Sequence, residues 1–215
     1  MTLPGGMFEL GIFANLKYTA KAQRLCDRVK KVSHGIILDE RGGKGFYAVS
    51  EEVEDRWNCT EGVIRQPINT DFWKPDEDIR KDVLLRHSYR KGLEGLKGIA
   101  ASRWLRYVAT ANRSAHDVRD LLRMSKVSVA TGRAALEAMS CGVPTVIADD
   151  REYQGPLIAI DPEKQAYYNY SGRGGVAPTL CLMNKAIDLA LSRGSLRDYV
   201  VKNHSVSKVV GELLS

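Results

Sequence analysis

From Phe46 onward, short apolar runs and amphipathic stretches alternate along the chain. FYAV (46–49) has strand character. SEEVEDRW (50–57) reads as a short helix, with Ser50 as N-cap and a Glu expected at the third position after it, as in a capping box. GVIRQ (62–66) is strand-like, and PINTDFWKPDED (67–78) is a Pro/Asn/Asp-rich connection. The rhythm then becomes regular. DVLLRH (82–87), LRYVAT (105–110), KVSVA (126–130) and PTVIAD (144–149) read as strands. Between them GLEGLKGIAASRW (92–104), AHDVRDLLRM (115–124) and GRAALEAMSCG (132–142) read as helices, the last stopped at Gly142. The tail from Thr179 reads as helical, through NKAIDLALSRG and a last amphipathic stretch to Val209.

Residues 1–45 are less regular. FELGIF (8–13) and HGIIL (34–38) read as strands around a helix at 19–32, whose basic residues 24–31 form a solvated face. The Gly-rich break at 41–45 is followed by a strand-like run, so it reads as a loop and not as a phosphate-binding turn.

Apolar runs alternating with helices of about ten residues mean βαβ units. The expected fold is α/β: a Rossmann-like parallel sheet flanked by helices over residues 46–215, with residues 1–45 as a rudimentary N-terminal lobe or dimer arm. Ligands of such sheets bind at the carboxyl ends of the strands. That rule selects the loops at 87–91, 110–114 and 131–133, and the segment after Asp149.

Composition narrows the function classes. At 215 residues and 44% hydrophobic, the chain can form a real core. No apolar run reaches the roughly 18 residues of a membrane helix, and the N-terminus does not read as a signal peptide. A cytoplasmic protein is expected. The balance is basic, 32 Lys plus Arg against 26 Asp plus Glu, which suits nucleic acid, an anionic membrane or a phosphorylated small molecule. No nucleic-acid motif or aromatic–basic interleaving supports the first. Cys26, Cys59, Cys141 and Cys181 are scattered and read as free, mostly buried thiols. The four histidines make no HxH or HxxxH pattern, so no metal is expected. G-x-S-x-G, G-x-x-x-x-G-K-[ST] and the full G-x-G-x-x-G are all absent.

Two segments carry candidate chemistry. In the first, Thr131 is a good N-cap and Gly132 permits close backbone approach. The amides of Gly132, Arg133 and Ala134 are donors at the positive end of a helix. Arg133 opposes the helix dipole, at a cost of roughly 0.3–1 kcal/mol, and precedes Glu137 in the weaker i,i+4 order. Either an anion binds between Arg133 and the helix start, or Arg133 simply pairs with Glu137. The second is Arg86-His87-Ser88-Tyr89-Arg90-Lys91, three cations in six residues. They either share an anion, for which a diphosphate is the obvious candidate, or form a solvated loop.

The run VSVATGRAALEAMSCGVPTVIADD (127–150) resembles the "LEAMA-G-PVIA" core of GT-B glycosyltransferases related to family 4. LLRHSYRKG resembles that family's Arg-x4-Lys-Gly segment, FYAVSEEV its "VSE" element, and VIRQPINTDFWKP its interdomain linker. The order of the four is also the family's, over about residues 46–160. NYSGRGG (169–175) resembles a segment of some short members. The resemblance implies a GT-B donor domain with a truncated N-terminal lobe that transfers a sugar from a nucleotide-diphosphate sugar. It implies that no metal or cofactor is required. It implies that Arg86 and Lys91 contact the donor diphosphate, that the amides around Thr131, Gly132, Arg133 and Ala134 hold phosphate, and that Glu137 holds the ribose. No catalytic residue is identified. His34 is either structural or on the acceptor side.

Three positions depart from the family. Val129 stands where a first Glu is usual, Gln66-Pro67-Ile68-Asn69 replaces Asn-Gly-Val-Asp, and Leu85 replaces a Gly. Only about 45 residues precede the family-like region, so the expectation is either a miniature enzyme or a cleft completed by a second copy or a partner chain, toward an unknown acceptor. The alternative is a non-catalytic nucleotide-sugar-binding or partner subunit.

Overall fold

A computed structural model describes residues 8–13, 26–34, 36, 41–76, 79, 81–87, 93, 95–149, 153–156 and 162–215. The chain divides into two compact units, Met1–Gln66 and Pro67–Ser215. The division falls inside the linker-like segment, so residues 46–66 pack with the first unit, whereas the sequence reading began the second at residue 46.

The second unit is α/β, a largely parallel sheet flanked by helices. Its strands are β4 (Val83–His87), β5 (Arg106–Ala109), β6 (Ser125–Ala130), β7 (Thr145–Ala148) and β8 (Tyr153–Pro156), in the spatial order β5-β4-β6-β7-β8. The first four are mutually parallel, and β8 runs antiparallel to β7 at the edge. Periodicity did not announce β8. Its four residues YQGP carry a Gly and a Pro, which an edge strand tolerates and an isolated sequence reading rejects.

Both faces of the sheet are covered. On one, Val83, Leu85, Ala130 and Ile147 pack with helices α3 (Ala115–Arg123) and α4 (Gly132–Ser140) and with Val200 of α7 (Arg197–His204). On the other, Leu84, Val127, Val129, Val146 and Ala148 pack with α2 (Leu96–Ser102) and α6 (Leu180–Arg193). This is why the strands read as near-continuous apolar runs. α2 is shorter than the expected 92–104, since Gly95 is its N-cap. Helices α5 (Pro162–Tyr167) and α8 (Val206–Leu214) complete the unit. α4 ends in a Schellman arrangement: Val143 N–H bonds Ala138 O at 3.0 Å and Gly142 N–H bonds Met139 O at 2.9 Å. Gly142 takes φ 77° there, which a glycine adopts without strain.

The first unit contains a parallel three-stranded sheet, β1 (Phe8–Phe13), β2 (Cys26–Ser33) and β3 (Tyr47–Ala48), in that order. β2 corrects the expected helix at 19–32 over residues 26–32; residues 19–25 lie outside the described residues. CDRVKKVS has Val29 and Val32 three apart, a helical spacing, but pairing with β1 on one side and β3 on the other decides the conformation. Of the expected strand at 34–38, residues 35, 37 and 38 lie outside the described residues, and 34 and 36 are not in a strand. Helix α1 (Glu51–Trp57) forms as expected, but Ser50 makes no side-chain cap. Val53, not a Glu, holds the third helical position, so no capping box can close. Among the described residues, Ser50 Oγ is buried without a hydrogen-bond partner. GVIRQ contributes a single bridge, Val63 to Ala48, in place of a strand. Arg65 grips Glu51 through both η nitrogens at 2.7 and 2.5 Å.

Cys59 and Cys141 are buried and Cys181 is exposed, all as free thiols. Burial pushes the Cys141 thiol up to about 12, which leaves it inert at neutral pH. Among the described residues, no helix is long and apolar enough to cross a membrane.

Candidate functional site

The strand order creates a switch point. From β4 the chain passes through α2 on one face to β5. From β6 it passes through α4 on the opposite face to β7. β4 and β6 are neighbours in the sheet, with His87 opposite Ala130. Connections that diverge from adjacent parallel strands leave a crevice at their carboxyl ends, the usual ligand position in open α/β sheets.

A hydrogen-bonded chain of side chains lies at that edge. His87 closes β4 and is 5% exposed. Its Nδ1 lies 3.0 Å from Thr110 Oγ1, the residue after β5, and its Nε2 lies 3.1 Å from Glu137 Oε2 on α4. Glu137 Oε1 accepts from Arg133 Nε at 2.9 Å. Three neighbouring elements of the edge are thereby tied together. An ionised carboxylate only accepts, so His87 Nε2 carries its hydrogen toward Glu137, and in the neutral ring Nδ1 accepts from the Thr110 hydroxyl. His87 thus fixes the rotamer of Glu137 from inside, as outer partners of ligand-binding carboxylates and imidazoles commonly do.

The start of α4 matches the sequence expectation in backbone and departs from it in hydrogen bonding. Thr131 has extended N-cap geometry but no side-chain cap, and the first turn holds no acid. Gly132 takes φ 57°. Its N–H donates to the carbonyl of Tyr170 at 2.6 Å, so this amide is occupied within the chain. The amides of Arg133 and Ala134 follow in the first helical turn, where an α-helix supplies no acceptor. Tyr170 belongs to NYSGRGG, whose Asn169, Tyr170, Gly172 and Gly174 all take positive φ. Arg173 is in the same turn, with its backbone N–H bonded to Ser171 Oγ at 3.2 Å. The segment therefore buttresses the helix start.

Arg133 and Glu137 do pair directly. The Glu137 side chain is 12% exposed and the Arg133 side chain 54%. An exposed helix pair of this spacing contributes about 0.3–0.5 kcal/mol. The order is the weaker one and the cation faces the positive helix end, which offsets much of that. Arg133 is therefore held loosely.

Arg86 is placed differently. Its neighbours in register are Ala109 and Val129, and Val129 and Leu84 belong to the face covered by α2 and α6. Alternation along β4 sends Arg86 to that face and His87 to the α4 face. Both sit at the carboxyl edge, on opposite sides of it. Lys91 lies outside the described residues, as does the segment 150–152. Sequence reasoning places His87 at the start of the edge loop at 87–91 but gives it no role in the site. The signal was its position as the last residue of a strand at the edge that binds ligands. Val129 is fully buried in the apolar core. His34 belongs to the first unit and is exposed.

No model of a known protein family matches the chain, and no curated protein matches it in sequence. Among solved structures it is similar to a mutant of S. aureus TarM in complex with fondaparinux, alpha-GlcNAc-glycerol and UDP, at 9% identity and a TM-score of 0.44. The match covers 86% of this chain and 43% of that one, so this chain spans less than half of that protein's length.

Proposed function

We propose that the second unit binds a nucleotide-diphosphate sugar at the carboxyl edge of its sheet and that the protein transfers the sugar as a GT-B-type glycosyltransferase. The observation that carries the reading is the switch point between β4 and β6. It gathers His87, Thr110, Glu137 and Arg133 in one hydrogen-bonded chain beside the open first turn of α4. Of these four, the family resemblance assigns Glu137 and Arg133 to donor binding.

In this reading Glu137, held by His87, takes the ribose hydroxyls. Arg133 and the Arg133 and Ala134 amides take the diphosphate from the α4 side, while Arg86 reaches it from the other; the resemblance adds Lys91 to the same contact. These cations and amides stabilise the negative charge that develops on the departing diphosphate as the sugar–oxygen bond breaks. No metal is needed for that charge balance. The acceptor is unidentified, and a second copy or partner chain supplies its side of the cleft.

A second reading has its own observation. The family's first Glu, near the transferred sugar, is here Val129, sealed in the core. That favours a chain that binds the donor without transferring it. Calorimetry with UDP, GDP and ADP tests donor binding, and affinity no better than millimolar for all three sinks both readings. Release of nucleoside diphosphate from a panel of nucleotide sugars then separates transfer or hydrolysis from binding alone. A strict monomer in sedimentation that still transfers sugar removes the shared cleft.

A further inference from the structure

The two oxygens of Glu137 face different partners. Oε2 rests on the buried His87 imidazole, and Oε1 lies under the exposed Arg133 guanidinium. Oε1 is therefore the oxygen a ligand can approach, and Arg133 already occupies it. We propose that Arg133 gates this carboxylate: it covers Oε1 in the unliganded chain and leaves it for a diphosphate, so the ribose site opens only to a nucleoside that carries its phosphates. The inference rests on the donor-site reading of the same residues.

Three features make Arg133 suited to this exchange. It holds Glu137 through Nε, with no second nitrogen in the pair, so no bidentate fork has to be broken. Its position at the helix start is electrostatically unfavourable for a cation and favourable for an anion. Its side chain is more than half exposed, so it can swing without disturbing the core. His87 does not move in this exchange, since its second nitrogen is tied to Thr110. A bare nucleoside must displace Arg133 with nothing to receive the freed guanidinium. A nucleoside diphosphate offers it a new partner. Selectivity for the phosphorylated ligand thus arises from the phosphate contact and from the uncovering of Glu137 together.

The test compares Arg133→Ala with the unmodified full chain, using whichever of UDP, GDP or ADP binds best and the matching nucleoside without phosphates. The expected result has opposite signs. Affinity for the diphosphate falls about tenfold or more, the range for a lost charge-assisted hydrogen bond. Affinity for the nucleoside, followed by ligand-observed NMR, rises about twofold, the worth of the pair that no longer competes. In a Glu137→Gln background, Arg133→Ala brings no such rise, because the gain passes through the carboxylate. Arg133→Gln repeats the comparison with the side-chain length kept, and melting temperatures confirm that every variant folds. A nucleoside affinity that is unchanged or weaker in Arg133→Ala, or a gain that persists in the Glu137→Gln background, overturns the gate while leaving the donor site standing. Absence of diphosphate binding to the unmodified chain removes the donor site and the gate with it.

Discussion

Helices α3 and α4 invite comparison because so much about them is equal. Each has nine residues, each follows a parallel strand at the carboxyl edge of the same sheet, and both pack on the same face. Their first turns differ. α3 satisfies itself: Ser114 Oγ accepts from Asp117 N–H at 3.2 Å and the Asp117 carboxylate accepts from Ser114 N–H at 3.3 Å, a closed capping box with an acid on the positive helix end. α4 has no side-chain cap, no acid, and a cation at its second position. One donor, the Gly132 amide, is taken by Tyr170. A helix start completed by its own side chains contributes to stability. One left with open donors and a loosely held cation is where an anion is expected.

The largest contrast is expected from Glu137→Ala. Donor affinity should fall by about 1.5–3 kcal/mol, the range for hydrogen bonds to a charged group. Stability should fall as well, by about 1–3 kcal/mol, because His87 Nε2 is left buried without its acceptor. Calorimetric titration and denaturant unfolding of one preparation read both. A loss of stability with unchanged donor affinity makes Glu137 a structural partner of His87 alone.

Ser114→Ala comes next. It removes a formed cap and should cost about 1 kcal/mol of unfolding free energy. Donor affinity should not change, as Ser114 serves only its own helix. Unfolding curves that match the unmodified chain would show that the α3 box contributes nothing.

Thr131→Ala is the matching change in α4 and should have little effect on stability, within about 0.5 kcal/mol. Thr131 makes no cap bond to lose. Side by side, the two alanine variants measure the difference between a self-capped and an open helix start. Equal losses would mean that the Thr131 hydroxyl caps α4 in solution and that the contrast is false.

Much of this edge could be read from the sequence. DVLLRH, LRYVAT, KVSVA and PTVIAD are strands within a residue or two, because burial against helices on both faces keeps the inner strands β4, β6 and β7 predominantly apolar. Thr131 and Gly142 bracket α4 because N-caps and left-handed C-terminal turns restrict residue type tightly. His87 was not visible as a site residue, since its role depends on Thr110 and Glu137, 23 and 50 residues away. The occupation of the Gly132 amide by Tyr170 is long-range in the same way, and a backbone carbonyl leaves no mark on residue type. β2 was misread because its apolar spacing fits a helix while its neighbours impose a strand. Local chemistry was legible, and contacts made across the sheet edge were not.

The smallest effect concerns acid. The hydrogen bond from the Ser114 hydroxyl, then that from the Ser114 backbone, hold the Asp117 carboxyl below its usual value of 3.8. A carboxyl depressed in the folded state binds protons more readily when unfolded. Its contribution to stability is therefore complete above the unfolded value and is lost as pH falls through the folded one. Asp117 is fully solvent-exposed, so screening keeps the effect small. The expected outcome is a stability difference between the unmodified chain and Asp117→Asn that holds steady above about pH 5 and shrinks steadily from about pH 4 downward. α4 has no acid in its first turn, so Thr131→Ala should run parallel to the unmodified chain over the same range. Urea unfolding of the three proteins across that window reads the difference directly. A gap between the unmodified chain and Asp117→Asn that stays constant through the acid range would show that the box at α3 is not sensitive to the charge of Asp117, and the electrostatic half of the contrast between the two helix starts would be lost.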